Sequence, residues 1–264
     1  GGIDGAVKAW SFECLSLRPL ATALEAHSGW VKALSHHPTQ AVIFSAGDDG
    51  VIAAWTLRGR ELTFLAKTDE EQPLEGIQSL QFHEASATLL SAGDDGAVRL
   101  WHLTGGVLSL QATVQAHDAA ILALEVDGRS GAVFSASADG AICAWLLADG
   151  GLQPVAVTPK AHESSVLALH LDAAAGVLLS GGVDGKIVAW DVAGGGLQQI
   201  AVTDDDSVHG RCMALQFDAV SSTALSAGTD RVIRTWQLQK GNLEPMGSAL
   251  GQQQQIFCVH LSRQ

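Results

Sequence analysis

Short apolar runs separated by glycine-bearing turns recur along the whole chain. Six of them align: residues 31–36, 77–82, 121–126, 166–171, 212–217 and 256–261. Each is too short for a helix and rich in β-branched and other apolar residues, so each predicts a strand. Successive side chains of a strand point to opposite faces. One face should therefore carry Val or Ile followed by a small residue, and the other mostly Leu and Phe. With both faces apolar, each strand is expected to be covered on both sides by neighbouring sheets, with no helix needed.

The segment after each run repeats too. In the copy ending at Trp145, residues 132–135 predict a second strand, 141–146 a third and 152–157 a fourth, with Asp139-Gly140 as the turn between the second and third. An Asp-Gly pair between short apolar runs is a hairpin signal, because Gly accepts the positive φ of a tight turn. The third-strand tryptophan returns as Trp10, Trp55, Trp101, Trp145, Trp190 and Trp236, at intervals of 44 to 46 residues. Six residues earlier stand Asp4, Asp49, Asp95, Asp139, Asp184 and Asp230. Four residues before five of these stand Ser45, Ser91, Ser135, Ser180 and Ser226. A fixed period of this length means repeated supersecondary units, here four-stranded antiparallel meanders.

A buried Asp, Ser, His or indole N–H is costly alone, and much less so when each satisfies the next, so such residues should occur as a set. His27, Ser45, Asp49 and Trp55 form one such series; His117, Ser135, Asp139 and Trp145 a second; His162, Ser180, Asp184 and Trp190 a third. The pattern resembles the WD-repeat family of β-propellers over essentially the whole chain. The resemblance implies that each series is a buried hydrogen-bonded chain. Two copies depart from it: Pro73 stands where a histidine would, and His209 falls one residue late, against Val208. Only Trp190 is followed by the aspartate that names the family, Asp191. The fold expected is an all-β propeller of four-stranded antiparallel blades, with residues 1–264 as one domain of six repeats. The chain opens on a third strand and ends on a first, a phase that suits six blades. Seven blades, in a longer parent chain of which this is an excerpt, is the alternative, and Gly1 in place of an initiator methionine fits an excerpt or a processed product.

Composition narrows the function. With 47% apolar and 16% charged residues the chain can bury a large core, which argues against disorder. Its net charge of −13 repels nucleic acid and anionic membranes and favours a basic partner. Cys14, Cys143, Cys212 and Cys258 show no metal-like spacing and predict free thiols in a reducing compartment, hence an intracellular protein, cytoplasmic or nuclear. No apolar run approaches the ~20 residues of a membrane helix.

Chemistry could sit in two places. Ser35, Gln81, Glu125, His170, Gln216 and His260 follow the leucine or its equivalent in each first strand. In a propeller that position lines the central channel, where Glu125, His170 and His260 could hold a metal or small ligand, or simply face water. On the family's top face, the resemblance implies partner contacts from Trp30, Asp48, Asp94, Asp118, Glu163, His209 and Arg211, with Thr229 peripheral. Asp48 and Asp94 precede turn aspartates and are the members of their pairs able to face outward. Trp30 stands out because aromatic and arginine side chains dominate interface energetics; half-burial between blades is its other reading. The acidic loops 69–71 and 204–206 add negative field, and His36-His37 reads as exposed polar surface at a turn. No GxSxG, HExxH, P-loop or dinucleotide fingerprint is present. The expectation is a non-enzymatic scaffold or adaptor within a multiprotein complex, binding a protein or peptide and needing neither cofactor nor metal. The alternatives are a metal-binding, small-molecule or enzymatic propeller using its channel, and a purely architectural subunit.

Overall fold

A computed structural model describes residues 1–13, 16–68, 74–204, 210–251 and 256. Among them every regular element is a strand, and no helix is long and apolar enough to cross a membrane. The chain forms two compact units, residues 1–116 with 149–151, and residues 117–148 with 152–264.

In the first unit β1 (Val7–Glu13) and β2 (Ser16–Ala23) make a two-stranded sheet. A four-stranded sheet comes next, of β3 (Val31–His37), β4 (Val42–Gly47), β5 (Ile52–Arg58) and β6 (Glu61–Lys67). After it stand β7 (Ile77–His83), β8 (Thr88–Gly93), β9 (Ala97–Thr104) and β10 (Val107–Gln115). The second unit begins with the sheet of β11 (Ile121–Val126), β12 (Ala132–Ser137), β13 (Ile142–Ala148) and β14 (Gly151–Thr158). It continues with β15 (Val166–Asp172), β16 (Val177–Gly182), β17 (Ile187–Asp191) and β18 (Gln198–Val202), then β19 (Cys212–Asp218), β20 (Thr223–Gly228), β21 (Val232–Gln239) and β22 (Gly241–Leu250). Strand order within each four-stranded set is chain order, the meander expected from the repeat. The last two meanders also touch edge to edge: β18 and β22 pair in parallel through Ala201 with Gly241 and Val202 with Asn242, so they count as one eight-stranded sheet. The first strand expected at 256–261 lies, beyond residue 256, outside the described residues.

Within each unit the sheets pack face to face, and the tryptophan-bearing face sits on the preceding sheet. Trp101, Leu80 and Leu89 meet Phe44, Ile52 and Ala54; Trp190, Leu169 and Leu178 meet Phe134 and Ile142; Trp236, Leu215 and Phe217 meet Leu179, Ile187 and Ala189. Trp236 is wholly buried. An aromatic side chain of this size removes roughly 150–250 Å² from water, a transfer term of about 4–6 kcal/mol at ~25 cal/mol per Å².

Two expectations about the first strands need correction. Leu80, Leu124, Leu169 and Leu215 are buried, but Leu34, their counterpart in β3, is 45% exposed. The sheet before it, β1–β2, has only two strands among the described residues, so it lacks the inner strands that cover the equivalent leucines elsewhere. Nor do the strands alternate strictly. All five first strands break register between their first and third residues: Val31/Ala33, Ile77/Ser79, Ile121/Ala123, Val166/Ala168 and Cys212/Ala214. A bulge there turns the intervening residue away from the ladder and re-aims its side chain. Lys32 and Gln78 are two of the residues so placed.

Candidate functional site

The loops that carry the surface candidates are fixed by the turn aspartates. All six accept the backbone N–H two residues ahead at 2.8–3.2 Å, closing the hairpin locally. What pairs with each carboxylate differs by repeat. His27 Nδ1 lies 3.0 Å from Asp49 Oδ2 and His162 Nδ1 3.0 Å from Asp184 Oδ2, while His117 Nδ1 and Asp139 Oδ2 are 3.4 Å apart. The three Nε2 atoms contact Ser45, Ser180 and Ser135 Oγ at 2.7–2.8 Å. Trp55, Trp190 and Trp145 donate their indole N–H to the same hydroxyls at 2.9–3.1 Å.

An indole N–H can only donate and a carboxylate can only accept, which fixes the two ends of the series. In its neutral form each imidazole carries its proton on Nδ1, which donates to the aspartate. Nε2 then accepts from the serine hydroxyl, whose oxygen accepts from tryptophan. Burial holds the His117 imidazole below its ordinary value, against the pull of Asp139 and Asp118, which suits that neutral form.

The three other aspartates take a cation from four residues further along the chain: Lys8 on Asp4, Arg99 on Asp95 and Arg234 on Asp230. In the histidine repeats the same position holds Ala53, Cys143 and Val188. Histidine or i+4 cation is thus an either-or choice imposed by the need to pair the carboxylate. Pro73 and His209 lie outside the described residues, but Arg99 and Arg234 account for how their repeats keep the turn. This substitute is visible in the sequence as a basic residue four after the aspartate, a signal that the expectation of a histidine passed over.

On the first unit the exposed candidates converge. Trp30 is 52% exposed, and Lys32 lies with Nζ 4.9 Å from its ring centroid. The same Nζ is 3.6 Å from Asp48 Oδ1. In the next sheet Gln78 Nε2 donates to Asp94 Oδ1 at 2.9 Å. Gly76 lies between the two acids: a Cβ there would come within 2.6 Å of Asp94 Oδ2 and 3.6 Å of Asp48 Cα. Asp48 and Asp94 are exposed, next to turn aspartates that are not. On the second unit Asp118, Glu163 and Arg211 are exposed. Glu163 donates its N–H to Asp184 and faces Lys186 at 3.9 Å. Arg211 donates its N–H to Thr229 Oγ1 at 3.0 Å. His209 and the acidic positions 69–71, 205 and 206 lie outside the described residues, and Asp204 is exposed.

The channel-type positions behave otherwise. His170 Nε2 meets the Gln216 amide at 3.3 Å, and both line a cavity of about 570 Å³ in the second unit with Asp172, Asp218 and Thr235. His260 is outside the described residues, and among the described ones no three His, Cys, Asp or Glu side chains converge as a metal site. Burial pushes Glu125 up to about 8. Cys143 and Cys212 are buried thiols raised by burial to about 11 and about 12, poor nucleophiles at neutral pH. His37 is not plain surface: its ring packs tilted against Phe82, centroids 4.4 Å apart, and accepts the Gln40 N–H.

The Glu125 value carries a pH prediction. The folded chain holds a proton that the unfolded chain releases above 4.5, so this group's contribution is complete below 4.5 and is lost as pH rises through about 8. Glu125→Gln should match the native protein near pH 4.5. By pH 8.5 it should be more stable by on the order of 2–4 kcal/mol, a full shift softened by partial solvent access. Urea unfolding of both proteins at the two pH values measures it; parallel pH curves would refute it.

The comparisons with known proteins fall on this geometry. The family described as WD domain, G-beta repeat matches residues 17–56, 70–102 and 153–191, each segment ending one residue past Trp55, Trp101 or Trp190. These three segments are WD40 repeats. The fold agrees with that of a solved WD40 propeller and of a designed protein. The WD40 beta propeller domain of Doa1 superposes with TM-score 0.77 at 20% identity, over 98% of this chain and 80% of that one. The computationally designed Ika8 protein does so with TM-score 0.70 at 24% identity, over 93% and 69%. No curated protein matches the sequence. The WD40 propeller is generally a protein-interaction scaffold, and here its repeats are joined to a loop surface that gathers an aromatic ring and two carboxylates.

Proposed function

We propose that this WD40-repeat chain is a non-enzymatic interaction scaffold whose first unit binds a basic segment of a partner protein through Trp30, Asp48 and Asp94. The observation that carries the reading is a half-exposed indole beside two exposed carboxylates, on loops whose turns are pinned by Asp49 and Asp95. A surface held this way costs little to order on binding, and the net charge of −13 steers basic partners toward it. Asp118, Glu163, Arg211 and His209 contribute further contacts on the second unit, with Thr229 behind Arg211. Membership of a multiprotein complex is a natural consequence of such a role.

The test is quantitative affinity capture with the native chain, Trp30→Ala and Asp94→Ala. Trp30→Ala should weaken retention of a bound partner about thirtyfold, as truncation of an interface hot spot does, and Asp94→Ala by less. A partner set captured equally well by all three proteins would refute the surface.

A further inference from the structure

We infer that Lys32 occupies, in the free protein, a cation seat that an arginine side chain of the partner takes over on binding; this rests on the surface reading above. The seat has a floor and a wall. The floor is the exposed face of Trp30, with Lys32 Nζ 4.9 Å from its centroid, and the wall is Asp48 Oδ1, 3.6 Å from the same nitrogen. The β3 bulge between Val31 and Ala33 aims Lys32 there. Gly29 lets the Trp30 loop close on the turn, since a Cβ at that position would meet Asp48 Cβ at 3.1 Å.

The corresponding place in the next sheet is filled differently. Gln78, at the strand position of Lys32, gives Asp94 an amide in place of a cation. Gly76 leaves the strip from Asp48 to Asp94 open. The strip thus holds two carboxylates and one lysine, paired with Asp48, and keeps an excess of negative charge.

Lysine is a weak occupant. Its compact, strongly hydrated ammonium reaches Asp48 only at 3.6 Å, and exposed pairs of this kind hold loosely. A guanidinium is planar, more weakly hydrated and able to stack on the indole while forking to carboxylates, so it suits the same seat better. Displaced Lys32 keeps its charge in water on a flexible stem, which makes the exchange inexpensive. The ligand chemistry is thus an arginine side chain presented by a basic peptide.

The experiment titrates the ¹⁵N-labelled full chain with acetyl-arginine-methylamide, using the neutral isostere acetyl-citrulline-methylamide for comparison. It tracks the Trp30 indole N–H, identified by its loss in Trp30→Phe. The arginine compound should shift this resonance and the citrulline compound should not. Lys32→Met should tighten arginine binding about fivefold, the factor expected when an exposed cation–π contact and an exposed ion pair no longer compete. Lys160→Met, the same charge change at an exposed site of the second unit, should leave it unchanged. Equal or weaker arginine binding by Lys32→Met overturns the seat. If Trp30→Ala still loses the captured partner in that case, the surface reading survives; if capture is also intact, both fall.

Discussion

Asp184→Ala is expected to lower the unfolding free energy by about 3–5 kcal/mol, the cost of leaving a buried imidazole N–H and two backbone N–H groups without their acceptor. Asp184 accepts from His162 and from the backbone N–H groups of Glu163 and Lys186, and its side chain is only 9% exposed. Alanine leaves all three donors without the acceptor. It also removes the group that fixes the His162 proton on Nδ1, so the bonds to Ser180 and Trp190 lose their alignment. Burial alone would raise this carboxyl. The His162 hydrogen bond and the two backbone donors outweigh it and hold the carboxyl below its ordinary value. A depressed carboxylate stabilises the fold above its unfolded pKa and loses that contribution as pH falls through the folded one. The gap between native and Asp184→Ala proteins should therefore narrow as urea unfolding is taken from pH 7 down through the acid range. Asp184→Asn, which keeps one acceptor and no charge, should fall between them. Asp4→Ala is the contrast: that aspartate is exposed, bonded to Lys8, and its loss should change stability little.

The period of Ser, Asp and Trp made the meander legible because buried polar groups have few alternatives, and each repeat must solve the same pairing problem. Strand positions in the copy ending at Trp145 agreed to within two residues, since Asp139-Gly140 fixes the turn and the apolar runs fix the rest. Three features were less legible. The i+4 cations escaped because a histidine was expected, whereas the physics asks only for a donor to the carboxylate: Arg99 and Arg234 serve as well. The bulge at Lys32 cannot be read from alternation, because a single inserted residue resets the two-residue period without changing composition. Exposure of Leu34 depends on how many strands the preceding sheet has, a tertiary fact. At the surface, Trp30 and Asp48 were distinguishable by residue type, but their closure around Lys32 needed coordinates.

Gly182→Ser is expected to cost about 2–4 kcal/mol by prising apart a buried pair without removing either member. A Cβ at Gly182 would fall 2.6 Å from Asp184 Oδ1 and 2.7 Å from His162 Nδ1, inside the hydrogen bond itself. The chain already contains the outcome of such a change. Two residues before Asp139 stands Ser137, where the other complete sets have Gly47 and Gly182. Its hydroxyl bonds Ala119 O and accepts the Asp139 N–H, both at 3.3 Å. In that repeat the histidine–aspartate separation opens to 3.4 Å, and the Asp139 side chain is 31% exposed, against 8% for Asp49 and 9% for Asp184. The side chain two before the aspartate thus sets how tightly the carboxylate is drawn in. Ser137→Gly should do the reverse, closing the His117–Asp139 contact. Its net stability should barely move, because the better pair is offset by two lost serine bonds and the added entropy of glycine in the unfolded chain. The His117 Nδ1–H resonance is the sharper readout. It should gain protection from solvent exchange in Ser137→Gly, and the His162 resonance should lose it in Gly182→Ser. Unchanged protection in both proteins would mean that these glycines serve only the close approach of neighbouring backbone.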